Sequence, residues 1–191
     1  MKKALSLLAF TFLLHIAVTA QTLWKADPMH SKLTFTVTHF GINDIFGLFQ
    51  KFDATATSSR LDFSDAVFDL SADVASINTE VKMRDDDLRS ARFFDAEKFP
   101  KMTFKSSSIK AAGKNRFKLS GDLTMHGITK SVTMDLWFRG IVNDTISKTT
   151  KAGFQLTGTL NRADFKIGNV FPFNEISNDV RIKADGEFIK Q

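Results

Sequence analysis

Histidine is the residue type in this chain best suited to proton transfer or metal binding, because an imidazole gains and loses its proton near neutral pH. Beyond the N-terminal segment the chain has three: His30, His39 and His126. A general base would need a nucleophile and an orienting carboxylate beside it, and no Gly-x-Ser-x-Gly motif supplies a serine. The histidines also lack the close spacing of a zinc motif. We therefore predict neither a catalytic constellation nor a metal site.

The position of His39 points to a different role. In the stretch KLTFTVTHFG, Leu33, Phe35 and Val37 alternate with threonines, so that His39 falls on the apolar face of an extended strand. On such a face an imidazole is more often a hydrogen-bonded structural residue than a ligand or a catalyst. The alternative is a single hydrogen bond to the polar end of a bound lipid at the mouth of a tunnel.

Two arginines are candidates for contacting the head group of a ligand. Arg84 and Arg89 could bind a phosphate, since guanidinium groups form strong paired hydrogen bonds with phosphate oxygens. They could equally pair with the aspartate run at 85–87. That run lacks the alternating ligand spacing and the glycine of a calcium loop, and acidic residues early in a helix are a sufficient account of it.

These charged residues belong to a segment that loses the alternation seen elsewhere. We predict one short helix within residues 79–92. Thr79 is expected to cap its start, and Asp85 is expected to pair with Arg89 one turn later.

The composition excludes several classes of site. The chain has no cysteine, which rules out a thiol nucleophile and cysteine-bound zinc or iron–sulfur centres. It has 20 Phe against two Trp and no Tyr. Because a buried Phe needs no hydrogen-bond partner, these rings could fill a core or line a dry cavity. Basic residues are scattered among acidic ones, which predicts a mixed solvated surface and no nucleic acid partner.

The N-terminus has the layout of a secretory signal peptide over residues 1–20. A basic start is followed by an apolar run to about Val18 and by small residues up to Ala20. No later stretch approaches the roughly 20 apolar residues that a spanning helix needs. We predict cleavage near Ala20, a periplasmic or secreted location, no stable membrane anchor, and a single domain over residues 21–191.

Alternation of apolar and polar residues recurs along the rest of the chain and predicts eight half-buried antiparallel strands. The apolar residues in phase are Leu33, Phe35 and Val37; Leu48, Phe52, Ala54 and Ala56; Phe68, Leu70, Ala72 and Val74; Met102 and Phe104; Phe117, Leu119, Leu123 and Met125; Val132, Met134, Leu136 and Phe138; Ala152, Phe154, Leu156 and Leu160; and Val180, Ile182, Ala184 and Phe188. Eight such strands fit a sandwich or a closed barrel. In a barrel of eight strands the apolar faces point inward, around space for side chains or one small ligand.

A series of motifs resembles the YceI-like domain family, in order and over residues 24–190. They are Asp27-Pro-Met-His30-Ser31, Phe35-Thr-Val-Thr-His39-Phe-Gly41, Gly47-Leu-Phe49, Ser76-Ile77-Asn-Thr79, Arg84-Asp85, Leu88-Arg89-Ser90, Phe93-Phe94-Asp95, Lys98-Phe99-Pro100, Phe104-Lys-Ser106, Gly121-Asp-Leu123-Thr124-Met-His126-Gly127-Ile-Thr129-Lys130, Asn161-Arg162-Ala-Asp164-Phe165 and Val180-Arg-Ile182. The resemblance implies an all-β fold, an eight-stranded antiparallel lipocalin-like β-barrel with one short helix. It also implies export, and a tunnel that binds polyisoprenoid quinones, isoprenoid phosphates or fatty-acid derivatives, in binding or carrier proteins without established chemistry.

Two positions depart from the pattern of that family. The family often has a histidine two residues after the Arg-Asp of its central motif, where this chain has Asp87. This change makes the polar site near the helix more acidic and less suited to an anionic head group. The family often has a glycine after the Asp-Phe of its late motif, where this chain has Lys166, and we expect an altered bend at the rim of the barrel there.

We therefore predict a soluble exported carrier that is not an enzyme and has no cofactor apart from a bound isoprenoid or other long-chain lipid. The residues predicted to contact this amphiphilic lipid are Leu33, Phe35, Val37, His39, Phe104, Phe117, Leu119, Leu123, Met134, Leu136, Phe154 and Leu156. A homodimer is left open. The alternative is a filled barrel that acts through its outer surface as a stress-related protein-interaction module, and a lipid-acting enzyme is the third interpretation.

Overall fold

The computed structural model describes residues 20–191, so the predicted signal peptide lies outside the described residues except for Ala20. The strands are β1 (Thr22–Ala26), β2 (Lys32–His39), β3 (Asn43–Phe49), β4 (Phe52–Ser58), β5 (Val67–Asp73), β6 (Ile77–Asn78), β7 (Lys101–Ala111), β8 (Arg116–Met125), β9 (Ile128–Asp144), β10 (Thr149–Asn161) and β11 (Ile176–Lys190). Within residues 20–191 there is one α-helix, α1 (Lys82–Arg89), and 3₁₀ turns span Val74–Ser76 and Arg162–Phe165.

The strands form one antiparallel sheet that closes on itself. β11 is long enough to pair with β2 through its first half, where Leu33 faces Ala184, and with β1 through its last residues, where Ala26 faces Phe188. β4 pairs with β1 and β3 with β2, while β5 pairs with β4 and β6 with β3. β1 and β2 therefore follow one another along a single place in the ring, and so do β3 with β4 and β5 with β6.

Together with β7 to β11 these three composite strands make a closed barrel of eight places. The prediction of an eight-stranded antiparallel barrel with one helix is confirmed. The sequence pattern missed β1 and β6, and it treated β3 and β4 as a single strand. A closed ring has no free edge, which removes the usual route to edge-to-edge aggregation of sheets.

The alternation of the sequence becomes the inside and outside of the barrel. In β8, Phe117, Leu119 and Leu123 are buried, whereas Arg116 and Lys118 are exposed. Gly121 lies on the same inward face, and a Cβ there would come 2.6 Å from the ring of Phe104. The register between β7 and β8 shifts opposite this glycine, between Ser106 and Ser108. Gly121 thus lies beside a β-bulge, as glycines inside strands often do.

One end of the barrel is closed by an aromatic cluster. Phe63, from the loop between β4 and β5, is fully buried. Its ring centroid lies 5.3 Å from that of Trp24, 5.0 Å from that of Phe138 and 4.8 Å from that of Phe154. The rings of Trp24 and Phe154 meet that of Phe63 edge-to-face and the ring of Phe138 is tilted to it; edge-to-face pairs at these separations attract one another beyond the area they bury. We call this group, with Phe68 and Phe188, the aromatic plug.

The other end of the barrel is covered by the segment that connects β5 to β7. β7 pairs with β5 as far as Lys101 opposite Asp73. Beyond that point the segment 74–100, which includes α1, lies over the end of the barrel. The loop between β10 and β11 lies beside it, because the rings of Phe93 and Phe171 stack with centroids 5.0 Å apart.

The predicted helix is present, but its predicted hydrogen bonds are wrong. The residue before the helix is Val81, not Thr79, and it makes no side-chain cap. Asp85 is buried and faces the barrel, where its Oδ1 accepts hydrogen bonds from the backbone N–H of Thr79 (2.7 Å) and from its hydroxyl (2.6 Å). Arg89 therefore pairs with exposed Asp86 instead, at 2.9 Å.

Candidate ligand cavity

The barrel is hollow between the aromatic plug and the segment 74–100. The cavity has a volume of about 640 Å³, within the range of small-molecule binding sites. Its wall is built mainly of aliphatic, aromatic and methionine side chains. Apart from those named next, the lining residues include Thr34, Ile45, Phe49, Leu70, Met83, Leu88, Phe93, Phe94, Met102, Met125, Leu160, Ile167, Phe171, Ile176, Val180 and Ile182.

The structure brings together eight of the twelve residues predicted to contact the ligand. These are Leu33, Phe35, Val37, His39, Phe104, Leu123, Met134 and Leu156. The other four, Phe117, Leu119, Leu136 and Phe154, point inward and are buried, but they do not line the cavity. We call these four residues the floor layer; one of them, Phe154, also belongs to the aromatic plug. Strand phase identifies which side chains point inward, but not how far the barrel is filled.

Many lining residues were not on the predicted list, and twelve of them fall into two groups. Leu70, Met102, Met125, Leu160, Val180 and Ile182 lie in phase on strands that the sequence pattern had identified. The alternation had already placed them on the inner face, but they were not included among the predicted contact residues. Met83, Leu88, Phe93, Phe94, Ile167 and Phe171 come from segments without alternation. Nothing local in the sequence places these six over the open end.

His39 lies at the mouth of the cavity. It ends β2, where it faces Asn43 on one side and Ile176 on the other. Its side chain is exposed and meets the ring of Phe40 edge-on at 4.3 Å. Within residues 20–191 its ring makes no hydrogen bond. The interpretation of His39 as a hydrogen-bonded core residue is thus wrong, because the strand reaches the rim before the histidine can be enclosed.

The two predicted head-group arginines lie in different places. Arg84 lines the cavity, and its Nε and Nη2 donate hydrogen bonds to the hydroxyl and the carbonyl of Thr79 at 2.7 and 2.8 Å. Arg89 lies outside the cavity, where it donates to the carbonyl of Ile77 at 3.1 Å and pairs with Asp86. Of the two, Arg84 alone has the position to meet a ligand, and it does not use all five of its N–H groups on Thr79.

Asp87, which departs from the family pattern, also lines the cavity. Its carboxylate pairs with Arg92 at 3.1 Å, and the guanidinium of Arg92 lies 4.8 Å from the centre of the Phe171 ring. The negative charge of Asp87 is therefore offset at the mouth of the cavity. Asp87 adds an acidic group to this site as expected, but Arg92, five residues further along the chain, largely neutralises it.

Arg162 also lines the cavity, and its role is structural. It belongs to the motif Asn161-Arg162-Ala-Asp164-Phe165, which does not by itself indicate this role. Arg162 is buried, and its five N–H groups donate to the carbonyls of Ser177, Ile167, Gly168, Phe171 and Ile176 at 2.6–3.1 Å. Burial lowers the pKa of this guanidinium from its usual value. The carbonyls satisfy every donor of the group, so Arg162 fixes the loop between β10 and β11.

Lys166, the second position that departs from the family pattern, lies in the same loop. Lys166 ends the 3₁₀ turn in the left-handed region, with φ 56°. A glycine adopts this conformation without a steric cost, whereas a residue with a Cβ is strained there. The rim thus keeps the bend that a glycine would make, and the lysine is accommodated at some cost in stability.

The remaining two histidines have local partners. His126 shares a hydrogen bond with the carbonyl of Phe165 at 3.0 Å, and the hairpin it forms with Gly127 has positive φ at both residues. His30 contacts Asp27 at 2.7 Å, and this hydrogen bond, followed by one from the backbone of Met29, lowers the pKa of the Asp27 carboxyl.

Asp27 and His30 also lie close to Glu187. Their potential metal-binding atoms are within 4.8 Å of one another. His30 and the backbone N–H of Met29 already satisfy Asp27, while Lys151 lies 3.5 Å from Glu187. Spatial proximity across the β1–β11 junction, rather than sequence spacing, assembles these groups. Their existing partners account for them without an ion.

The part of the chain that the structure describes contains no helix long and apolar enough to cross a bilayer.

Comparisons with known proteins agree with this architecture. The UPF0312 protein SA2479 of Staphylococcus aureus strain N315 is 32% identical over 170 residues, which cover 85% of this chain and 94% of that protein. A Campylobacter jejuni YceI protein is 27% identical, with a TM-score of 0.72 over 81% of this chain and 90% of its own. A polyisoprenoid binding domain from Saccharophagus degradans shares the fold at 17% identity, with a TM-score of 0.69 over 88% of this chain and 98% of its own. The model of the YceI-like domain matches residues 24–188, and the chain belongs to that family.

Proposed function

We propose that this protein is an exported binding or carrier protein that holds an amphiphilic lipid, with the hydrocarbon chain in the cavity and the polar end at His39. The observation that carries this proposal is the apolar cavity of about 640 Å³ in a barrel whose other end is tightly packed. A polyisoprenoid chain is the favoured ligand, since the similar domain from Saccharophagus degradans is described as polyisoprenoid binding. Export is supported by the signal-like pattern of residues 1–20, which leads to the periplasm or the exterior.

The chemistry of the wall supports binding through hydrocarbon contact. Each CH₂ group moved from water into such a cavity contributes about 0.8 kcal/mol. A chain of several isoprene units therefore gains enough without a charged anchor. The mouth supplies polar groups that suit an acceptor-bearing head, namely the exposed imidazole of His39 and the unused N–H groups of Arg84.

The cavity also discriminates between the carrier and the alternative of a filled barrel that acts through its outer surface. A filled barrel would have interlocking side chains throughout, as in the aromatic plug. Instead, the inward residues Val37, Leu156, Val180 and Ile182 are only half-buried, because they face open space rather than one another. This observation favours a bound molecule over a purely structural interior.

Native mass spectrometry after detergent-free purification from the producing cells tests this proposal. We expect a retained lipid mass, which extraction then identifies. Val37→Trp should weaken retention by narrowing the cavity near its mouth. Thr36→Trp, on the outer face of the same strand, is the matched control and should keep the lipid. An empty protein that also fails to bind a ubiquinone or a prenyl phosphate in titration would overturn the proposal.

A further inference from the structure

The open end of the barrel carries exposed apolar side chains on three separate elements. The β2–β3 hairpin presents Phe40 and Ile42, which are 55% and 88% exposed. The loop between β10 and β11 presents Val170 and Phe173, and α1 presents Met83, which is 82% exposed. We call these five residues the apolar rim. Large apolar residues placed together on a surface mark an interaction site more often than single ones do.

The rim elements are held next to one another. The backbone N–H of Phe40 donates to the carbonyl of Glu175 at 2.8 Å, which ties the hairpin to the loop that carries Phe173. Arg162 fixes that loop from below through its five carbonyl contacts. The rim is therefore a set of loop tips with fixed positions around an opening, rather than a flat face.

The apolar rim is continuous with the wall of the cavity. Met83 belongs to both, since it lines the cavity and is exposed to solvent. His39 and Ile176, which line the mouth, adjoin Phe40 and the Phe173 loop. A hydrocarbon chain that passes over these residues keeps apolar contact, and so avoids the cost of exposing each CH₂ group to water.

The charges near the rim are largely paired. Asp44 pairs with Arg181, Asp87 with Arg92, and Asp86 with both Lys82 and Arg89. Because these three aspartates are paired, they add little negative field that would repel a lipid surface, and the pairs give no reason to require an anionic one.

We propose that the apolar rim docks on the surface of a lipid bilayer, so that the ligand moves between membrane and cavity without crossing water. This inference rests on the proposed function, since a ligand too apolar for water must be taken from a membrane. A second copy of the chain is a poorer occupant, because two barrels placed mouth to mouth would close both cavities. The rim inserts its loop tips, and the barrel axis stands upright on the bilayer.

Flotation with phosphatidylcholine vesicles tests this inference on the chain after removal of the signal peptide. The double variant Ile42→Asp with Phe173→Asp should lower the vesicle-bound fraction by about tenfold, because two apolar side chains no longer insert. Neither residue lines the cavity, so ubiquinone binding in vesicle-free solution should stay within about twofold of the parent. The matched control is Leu61→Asp with Ile146→Asp, two exposed residues at the closed half of the barrel, and it should float like the parent.

The outcomes separate the two proposals. A rim variant that floats as well as the parent, or a control that loses flotation equally, overturns docking through the rim. Loss of a dimer in analytical ultracentrifugation, with no change in flotation, assigns the rim to a second copy and also overturns it. A protein that floats through its rim but never binds ubiquinone or a prenyl phosphate overturns the proposed function alone.

Discussion

The two ends of the barrel are built from the same alternating strands but have opposite interiors. At the closed end, Phe63 reaches in from a loop and meets three other aromatic rings within 5.3 Å. At the open end, the inward side chains of β2, β10 and β11 face a cavity. The sheet alone therefore does not determine whether the barrel is filled. The connections at its ends do: the loop between β4 and β5 fills one end with Phe63, whereas the segment 74–100 covers the other end and encloses the cavity.

The largest expected effect breaks the closed end. Phe63→Ala should lower the free energy of unfolding by about 3–5 kcal/mol, because it leaves a void inside a packed aromatic cluster. Leu156→Ala, on the wall of the existing cavity, should cost only about 1 kcal/mol, because its side chain is half-buried to begin with. Urea denaturation measures both, and equal losses would contradict the division of the barrel into a packed and a hollow half.

The next effect concerns the cover of the open end. Arg162→Leu should lower the free energy of unfolding by about 3 kcal/mol, because it leaves buried carbonyls without donors. Hydrogen exchange should rise in the loop between β10 and β11 and stay unchanged in the hairpin between β9 and β10. Arg162→Lys should rescue little, since an ammonium group cannot reach five carbonyls in a plane. Protection that falls evenly over both ends would show that the arginine does not act locally.

A third, smaller effect lies at the junction of the two halves. Asp27 follows β1 and precedes β2, and its pKa is lowered by His30 and by the backbone N–H of Met29. A carboxyl with a lowered pKa in the folded state stabilises the protein fully above its unfolded pKa of about 3.9. That contribution is lost as the pH falls below this value. Asp27→Asn should thus be less stable than the parent at pH 7, with a difference that shrinks below about pH 4. A pH-independent difference in urea midpoints would rule out this linkage.

The smallest effect should be a gain in stability at the rim. Lys166→Gly removes the strain of a Cβ at φ 56° and should raise the free energy of unfolding by about 0.5 kcal/mol, after the entropy that glycine adds to the unfolded chain. Lys148, at φ 55° in the hairpin between β9 and β10, offers the same change at the closed end. Thermal denaturation compares the two, and a loss of stability at either site would contradict the argument from backbone strain.

Particular residues show how far the sequence predicts this molecule. Phe104 and Phe117 are both aromatic, inward and in phase on neighbouring strands, yet the first lines the cavity and the second packs in the floor layer. The difference is one of depth in the barrel, because Phe117 lies opposite Leu136 in the floor layer, whereas Phe104 lies opposite Leu123 on the cavity wall. Alternation does not report this depth. The sequence thus predicted most of the strands and most of the inward faces, but not the boundary between packed and hollow. It also placed Leu48 on the inner face, where the structure instead has Phe49 buried against the cavity.

The polar residues also show that sequence spacing alone does not predict the surroundings of a side chain. Spacing predicted that Asp85 would pair with Arg89, but the burial of Asp85 turned it toward Thr79. His39 lies on the inner face as the alternation predicts, but it is exposed at the mouth and not enclosed, because β2 ends there and alternation does not mark the end of a strand. Local rules fail at these positions because the contacts that decide them come from the rest of the barrel.

The floor layer of Phe117, Leu119, Leu136 and Phe154 sets the depth of the cavity. Under the proposed function, this depth would limit how far the hydrocarbon chain of a bound lipid can extend from the mouth at His39. Exchanging these four side chains for smaller or larger ones would then lengthen or shorten the accepted chain without changing the mouth. The length of the chain and the contact with its polar end would thus depend on different residues of the barrel.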